Sequence, residues 1–395
     1  MEIKNYWFAI LLLLVFSCNR DKTIVEQPPE QKQEITNIIL FGNNCKSFER
    51  LIKGSKMEDL MAVKQTVDGG YILCGSTETT AANQYDILII KTDCYGNSEW
   101  MKTISNNFTD LSFDITPIST GGYILSAISS TVPNSFPIIS YQGQLIKLNK
   151  SGNIIWKKTC NVGNSTFLYK VIEASDGGFT ICGTDNSLGG FILKTDSSAN
   201  QTWIKKFGDS IKVYDISIKN KNYVVCGSVS INQQDDIFLS EINQLGETVW
   251  TKNIDKNKIS NEAYSILTLS NNDIIISGYN RTSGTNLPGF AMRLNTIGNE
   301  IWYKSLELEG INFLGDIVSL SDNEILSVGS KPNALTFVKF NSNNGSIIWT
   351  LDKSSNAIIN DLQLTTDGGF ILVGNLFHSA NNIDGYILKT NQNGN

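Results

Sequence analysis

The sequence has a single histidine, His378, in 395 residues. That count excludes a metal site built on several histidines and argues against a serine–histidine–aspartate hydrolase. Proline is also scarce, 7 against 32 glycines, so the chain is neither collagen-like nor an extended linker. Charged residues make up 18%, below the usual ~25%, while 41% are hydrophobic, which excludes wholesale disorder. Positive charge is in deficit, 32 Lys and Arg against 38 Asp and Glu. A net charge of -6 with no basic stripe argues against nucleic-acid binding. No two of the seven cysteines are adjacent, and beyond the N-terminus no apolar run is long enough to span a bilayer.

The first apolar run, Tyr6 to Phe16, follows Lys4. It is too short for a membrane span and the right length for a signal-peptide core. It ends in Leu14-Val15-Phe16-Ser17-Cys18, which resembles a bacterial lipobox: an aliphatic residue three before the cysteine and a small residue just before it. The expectation is a signal peptide over 1–17, with Cys18 lipidated as the new N-terminus and anchored to a membrane surface. An ordinary secretory signal with a chance cysteine is the alternative. Residues 18–45, polar and carrying Pro28-Pro29, read as a flexible tether.

Length alone suggests two or three domains, but internal repeats replace that estimate. Asp68-Gly69-Gly70-Tyr71-Ile72-Leu73-Cys74-Gly75 returns near 120, at Asp176-Gly177-Gly178 and at Asp367-Gly368-Gly369, with degenerate copies ending at Gly227, Gly278 and Gly329. Each is followed by a second signature, basic-x-Asp/Asn-x-x-Gly, as in Lys91-Thr92-Asp93-Cys94-Tyr95-Gly96. Trp100, Trp156, Trp203, Trp250, Trp302 and Trp349 come next, at intervals of 47 to 56 residues. That period belongs to β-propeller blades. Each repeat reads as four strands a–d, with glycine turns and β-branched interiors. The seventh repeat stops where strand d is due. At the other end of the chain, Ser47-Phe48-Glu49-Arg50-Leu51-Ile52 resembles the strand-d segment Ser98-Glu99-Trp100-Met101-Lys102-Thr103, with Phe48 in the Trp position and Arg50 in the Lys position. The predicted fold is all-β: a seven-bladed propeller over 46–395, closed by an N-terminal velcro strand that removes the open edge.

The Asp-Gly-Gly-Tyr-Ile-Leu-x-Gly segments, the basic-x-Asp turn and the following Trp resemble bacterial secreted β-propeller repeat lipoproteins. They are similar in style to the quinoprotein-like and kelch-like propeller superfamilies. The resemblance covers about residues 46–395 and is specific for fold, not for activity. Quinoprotein dehydrogenases bind their cofactor with a vicinal cysteine pair that this chain lacks, so no catalytic residues are carried over, and neither cofactor nor metal is expected.

Candidate sites follow from topology. The Trp series, with Lys two residues on, is expected to dock blades rather than bind ligand. Asp114, Asp215, Asp316 and Asp361 recur on strand a, the innermost strand. They read either as carboxylates at the channel mouth able to hold a cation, or as acceptors for backbone N–H groups of the preceding loop. Cys45 and Cys94 fall near the c–d turns of two blades that closure makes neighbours, and a disulfide between them is a second expectation. Cys74, Cys182 and Cys226 share one strand-b position and read as small core residues.

The a–b and c–d turns share one face, and the variable b–c and d–a loops share the other. Function is expected on the variable face, where Phe136, Tyr141, Arg281, Phe377 and His378 are the candidate contacts for a protein or glycan. The leading reading is a non-catalytic, monomeric binding or scaffold propeller anchored in a bacterial cell envelope. The alternative is a propeller enzyme, a glycosidase or lyase, whose mark is an axial pocket holding two close acids of displaced proton affinity.

Overall fold

The computed structural model describes residues 34–40, 47–54, 57–79, 84–106, 108–130, 132, 140–256, 259–281, 287–379 and 382–395. Cys18, Cys45 and Phe136 lie outside them. The described residues form seven antiparallel sheets ordered a-b-c-d, with no α-helix. Strands a of neighbouring blades touch one another around the whole circle. The chain is a seven-bladed β-propeller. Among the described residues no helix is long and apolar enough to cross a membrane.

Velcro closure follows the sequence pattern. Blade 7 takes strands Ala357–Leu364, Phe370–Ser379 and Asn382–Thr390 from the C-terminus, and Phe48–Lys53 supplies its strand d. Phe48 pairs with Lys389 and Arg50 with Ile387. A fifth strand, Glu34–Leu40, pairs outside Phe48–Lys53, so part of the segment read as tether is sheet.

The two sequence signatures meet within blades 1, 3, 5 and 7. Lys91 pairs in register with Trp100, as hairpin geometry requires. Its buried ammonium reaches back to Asp68 of the Asp-Gly-Gly turn at 3.0 Å. Lys194 meets Asp176 at 2.8 Å, Lys389 meets Asp367 at 3.0 Å and Arg293 meets Asp273 at 2.6 Å in the same way. Blade 4 reverses the charges: Glu241 holds the basic position and Lys219, at the end of strand a, supplies the cation at 2.5 Å.

The tryptophans are architectural. Trp203 lies over Gly246 and Trp250 over Gly298, each the c–d turn glycine of the next blade. A Cβ on those glycines would lie 2.9 and 3.0 Å from the ring. Phe48 covers Gly96 in the same manner, standing in for a tryptophan. Lys252, two residues beyond Trp250, donates to Asn299 of that same neighbouring turn at 3.1 Å. Apolar side chains of strands a, b and c fill the spaces between blades, as where Ile72, Cys74 and Ile89 pack on Ile115 and Leu125. Cys74, Cys182 and Cys226 are fully buried free thiols at these interfaces.

Candidate functional site

Strand a of every blade breaks register in its first half, once in six blades and twice in blade 6. In blade 1 (Glu58–Gln65), Leu60 pairs with Gly75 and Ala62 with Cys74, leaving Met61 as an extra residue. Phe113, Tyr169, Tyr214, Tyr264 and Asn360 are extra residues at the matching step of blades 2, 3, 4, 5 and 7. Such a β-bulge re-aims a side chain. The glycine closing the first signature makes room for it: a Cβ at Gly75 would lie 1.7 Å from the Asp59 carbonyl oxygen. In blade 6 the second break spans Gly315, which has no side chain to offer, and Phe313, at φ 42°, supplies the ring instead.

These residues line an axial cavity of about 210 Å³. Five rings form a continuous arc from blade 2 to blade 6. Centroids are 5.6 Å apart for Phe113 and Tyr169, 6.0 Å for Tyr169 and Tyr214, 4.5 Å for Tyr214 and Tyr264, and 5.6 Å for Tyr264 and Phe313. Met61 and Asn360 complete the circle from blades 1 and 7. The Tyr214 and Tyr264 hydroxyls both donate to Oε2 of buried Glu262, at 3.0 and 3.1 Å, and Tyr279 donates to Oε1 at 2.6 Å. Arg281 stands 3.5 Å from the same carboxylate. Burial, and then the Glu262 charge, push the Tyr214 and Tyr264 phenols well above their ordinary range, so both stay protonated donors.

Beneath the rings is an ionic floor. Asp114, Asp215, Asp316 and Asp361 each occupy mid-strand, not the mouth of the channel. Their donors are also not those of a preceding loop. Asp114 accepts from Val171 N–H at 3.0 Å, Asp215 from Ile266 N–H at 2.9 Å and Asp361 from Val63 N–H at 2.8 Å, each on the inner strand of the next blade. Asp316 accepts from Ile317 N–H at 2.9 Å and from the Ser265 hydroxyl. The acids therefore staple blade to blade.

Two lysines complete the floor. Lys64 Nζ stands 2.8 Å from Asp361 and 3.8 Å from Asp114, and Lys170 Nζ is 3.8 Å from Asp361. Ammonium groups thus lie among the carboxylates, where the cation reading would put a metal. Among the described residues no His, Cys, Asp and Glu cluster is arranged to hold one. Burial disfavours the Asp361 anion, but Lys64 and Lys170 outweigh it and hold this carboxyl far below its usual range. Asp316 goes the other way: burial pushes it up to about 7, against the pull of Lys170, and the Asp361 charge adds to the rise. Burial raises Asp215 too.

The loop-face candidates divide. Arg281 belongs to the rim of the cavity through Glu262 and Tyr279. Tyr141 is not a loop-surface residue: it is 8% exposed and packs on Phe167 at 5.0 Å. Phe377 leans on the apolar cluster around Met57, Phe113 and Ile383. His378 is exposed and holds Asp384 at 2.9 Å, away from the rings. Cys94 is disulfide-bonded, and the partner expected for it, Cys45, falls outside the described residues. Lys64, Lys170 and the whole aromatic arc were missed by sequence reasoning. The signal for Phe113, Tyr169, Tyr214 and Tyr264 was the residue just before the strand-a Asp position, aligned blade by blade, and Lys170 holds that Asp position in blade 3.

No protein-family model matches the chain, and no curated protein matches it either. Solved structures do resemble it. Sqt1 of Chaetomium thermophilum has a TM-score of 0.54 at 9% identity, covering 84% of this chain and 95% of that one. Its complex with the N-terminus of ribosomal protein L10 scores 0.53 at 10% identity, covering 89% and 99%. The β-propeller domain of the Trilobed protease from Pyrococcus furiosus, described as having an open velcro topology, scores 0.51 at 9% identity, covering 85% and 94%. At such identity the likeness concerns the fold alone.

Proposed function

We propose that the protein is a non-catalytic binding module that receives part of a protein or glycan partner in its axial cavity, and that lipid on Cys18 holds it in a bacterial cell envelope. The observation carrying the binding reading is the aromatic arc above a floor whose acids each accept a backbone N–H. Both Asp215 oxygens accept backbone N–H groups, and Asp361 is committed to Val63 and Lys64. Rings in a partly polar concavity are what ligand sites present. Propellers of the same fold include one seen with a bound protein segment, the Sqt1 complex. The test is capture on glycan and peptide arrays by the full chain, compared with Tyr264→Leu. Hits that ignore the substitution would remove the cavity from the reading. For the anchor, incorporation of labelled fatty acid in a bacterial host should vanish in Cys18→Ser.

The enzyme reading keeps one supporting observation: Asp316 lines the cavity and is raised to about 7, beside an acid displaced the opposite way. Asp361, however, is 1% exposed and is not among the residues that line the cavity. Polysaccharide turnover that disappears in Asp316→Asn would establish catalysis in place of binding.

A further inference from the structure

Resting on the binding reading, the geometry points to an aliphatic ammonium group as the moiety the axial cavity receives. Three independent features agree. The first is the arc of five rings, Phe113, Tyr169, Tyr214, Tyr264 and Phe313, spread over five consecutive blades around one small cavity. Tyr214 and Tyr264 stack on one another at 9° and Tyr279 covers the other side of Tyr264 at 23°, while Phe113 stands edge-on to Tyr169 and Phe313 edge-on to Tyr264. A cation is drawn to the ring faces left open to the cavity, most strongly where water is excluded.

The second is Glu262. Two of the arc's tyrosines donate their hydroxyls to this single carboxylate. A phenol whose proton leans toward an anion carries a more electron-rich ring, so the Glu262 charge is passed on to two of the side chains that line the cavity. Glu262 is 4% exposed and engages Tyr279 and Arg281 as well, which fixes it in place.

The third is the charge of the floor. Asp114, Asp215, Asp316 and Asp361 face only two cations, Lys64 and Lys170. Lys170 lines the cavity and would by itself repel a cation, but it lies 3.8 Å from Asp361 and all four acids act on it. Glu262 and Arg281 cancel above. The balance around the cavity is negative, and an anionic ligand would meet uncompensated carboxylates. A neutral apolar ligand would satisfy the rings but gain nothing from the floor.

The experiment titrates the full chain with choline and, in parallel, with its uncharged isostere 3,3-dimethylbutan-1-ol, read by calorimetry and tyrosine fluorescence. It is repeated with Tyr264→Leu and with Glu262→Gln, which keeps the side chain's size while removing its charge. We expect saturable choline binding, at least about ten-fold tighter than the isostere, lost in Tyr264→Leu and weakened in Glu262→Gln. If Tyr264→Leu fails to fold, the Glu262→Gln comparison decides. An N-acetyl-trimethyllysine amide arm separates a protein side chain from a free alkylammonium as the source: tighter binding than choline favours the former, and both outcomes support the ammonium. Equal binding of choline and isostere, or choline binding indifferent to both variants, overturns the inference. If neither small molecule binds while array capture still depends on Tyr264, the ammonium preference fails and the cavity stands. If nothing binds in a Tyr264-dependent way, the binding reading fails with it.

Discussion

Lys64 Nζ of blade 1 stands 2.8 Å from Asp361 Oδ2 of blade 7, across the seam where the two ends of the chain meet. Val63 N–H donates to the same oxygen at 2.8 Å, so backbone and ammonium converge on one carboxylate. The pair is shielded, with the side chains 17% and 2% exposed. Breaking a buried pair costs more than replacing it, because the survivor is left charged. Lys64→Met should therefore destabilise by about 3–5 kcal/mol in urea unfolding, and adding Asp361→Asn should recover part of that loss. A Lys64→Met protein as stable as the parent would show that Lys170 alone neutralises Asp361.

The tryptophan docking makes a comparison between glycines. Gly246 has φ +84° and Trp203 lies where its Cβ would go, whereas Gly177 has φ +77° with open space around it. Gly177→Ala should cost only the left-handed backbone penalty, about 1–2 kcal/mol. Gly246→Ala should cost that and a further ~1–3 kcal/mol for displacing the ring. Thermal unfolding of the two variants reads the difference, and equal losses would mean that the ring yields freely.

Most of the fold could be read from the sequence because a propeller writes the same answer seven times. The Asp-Gly-Gly and basic-x-Asp signatures recur where their charges pair inside a blade, as in blades 1, 3 and 7, and Phe48 and Arg50 were recognisable as the displaced strand because they fill the Trp and Lys positions of strand d. The site was not legible in that way. Period-two alternation says which sheet face a residue takes, but a bulge turns one residue out of that alternation, as it does Tyr214 and Tyr264. The bulged residue is Met, Phe, Tyr, Gly or Asn depending on the blade, and blade 6 draws Phe313 from two positions earlier than Gly315. Tyr141 looked like a loop aromatic because it follows a variable segment, yet it begins strand Tyr141–Leu148 and packs inward. Lys170 breaks the acidic pattern of its position in strand a, and its value lies in replacing an acid there.

Cys94 lies in the c–d turn of blade 1, where Arg50 of the velcro strand donates to the Tyr95 carbonyl at 2.9 Å. A bond from Cys94 to Cys45 would lock this closure covalently. Non-reducing peptide mapping should recover a Cys45–Cys94 crosslink, and Cys94→Ser should cost about 2–4 kcal/mol. A Cys94 peptide joined to any other cysteine would rule this pairing out.

Asp316 gives the cavity a pH dependence whose sign can be worked out. Its carboxyl titrates near 7 when folded, against an ordinary value of 3.8. Between those values the folded chain keeps a proton that the unfolded chain has lost, so stability falls as pH rises through the window, by at most about 1.4 kcal/mol per pH unit. Asp59, raised by burial to about 6, contributes with the same sign. Asp361 is displaced downward, and Lys64 and Lys170 upward, so they titrate outside the window. Asp316→Asn should flatten the slope between pH 4 and 7 without abolishing it. The same proton opposes a cationic ligand, because only the ionised carboxylate attracts it. Choline affinity should rise with pH through about 7 in the parent and stay level in Asp316→Asn. A parent whose affinity ignores pH over that range would place Asp316 outside the ligand's field, however the stability behaves.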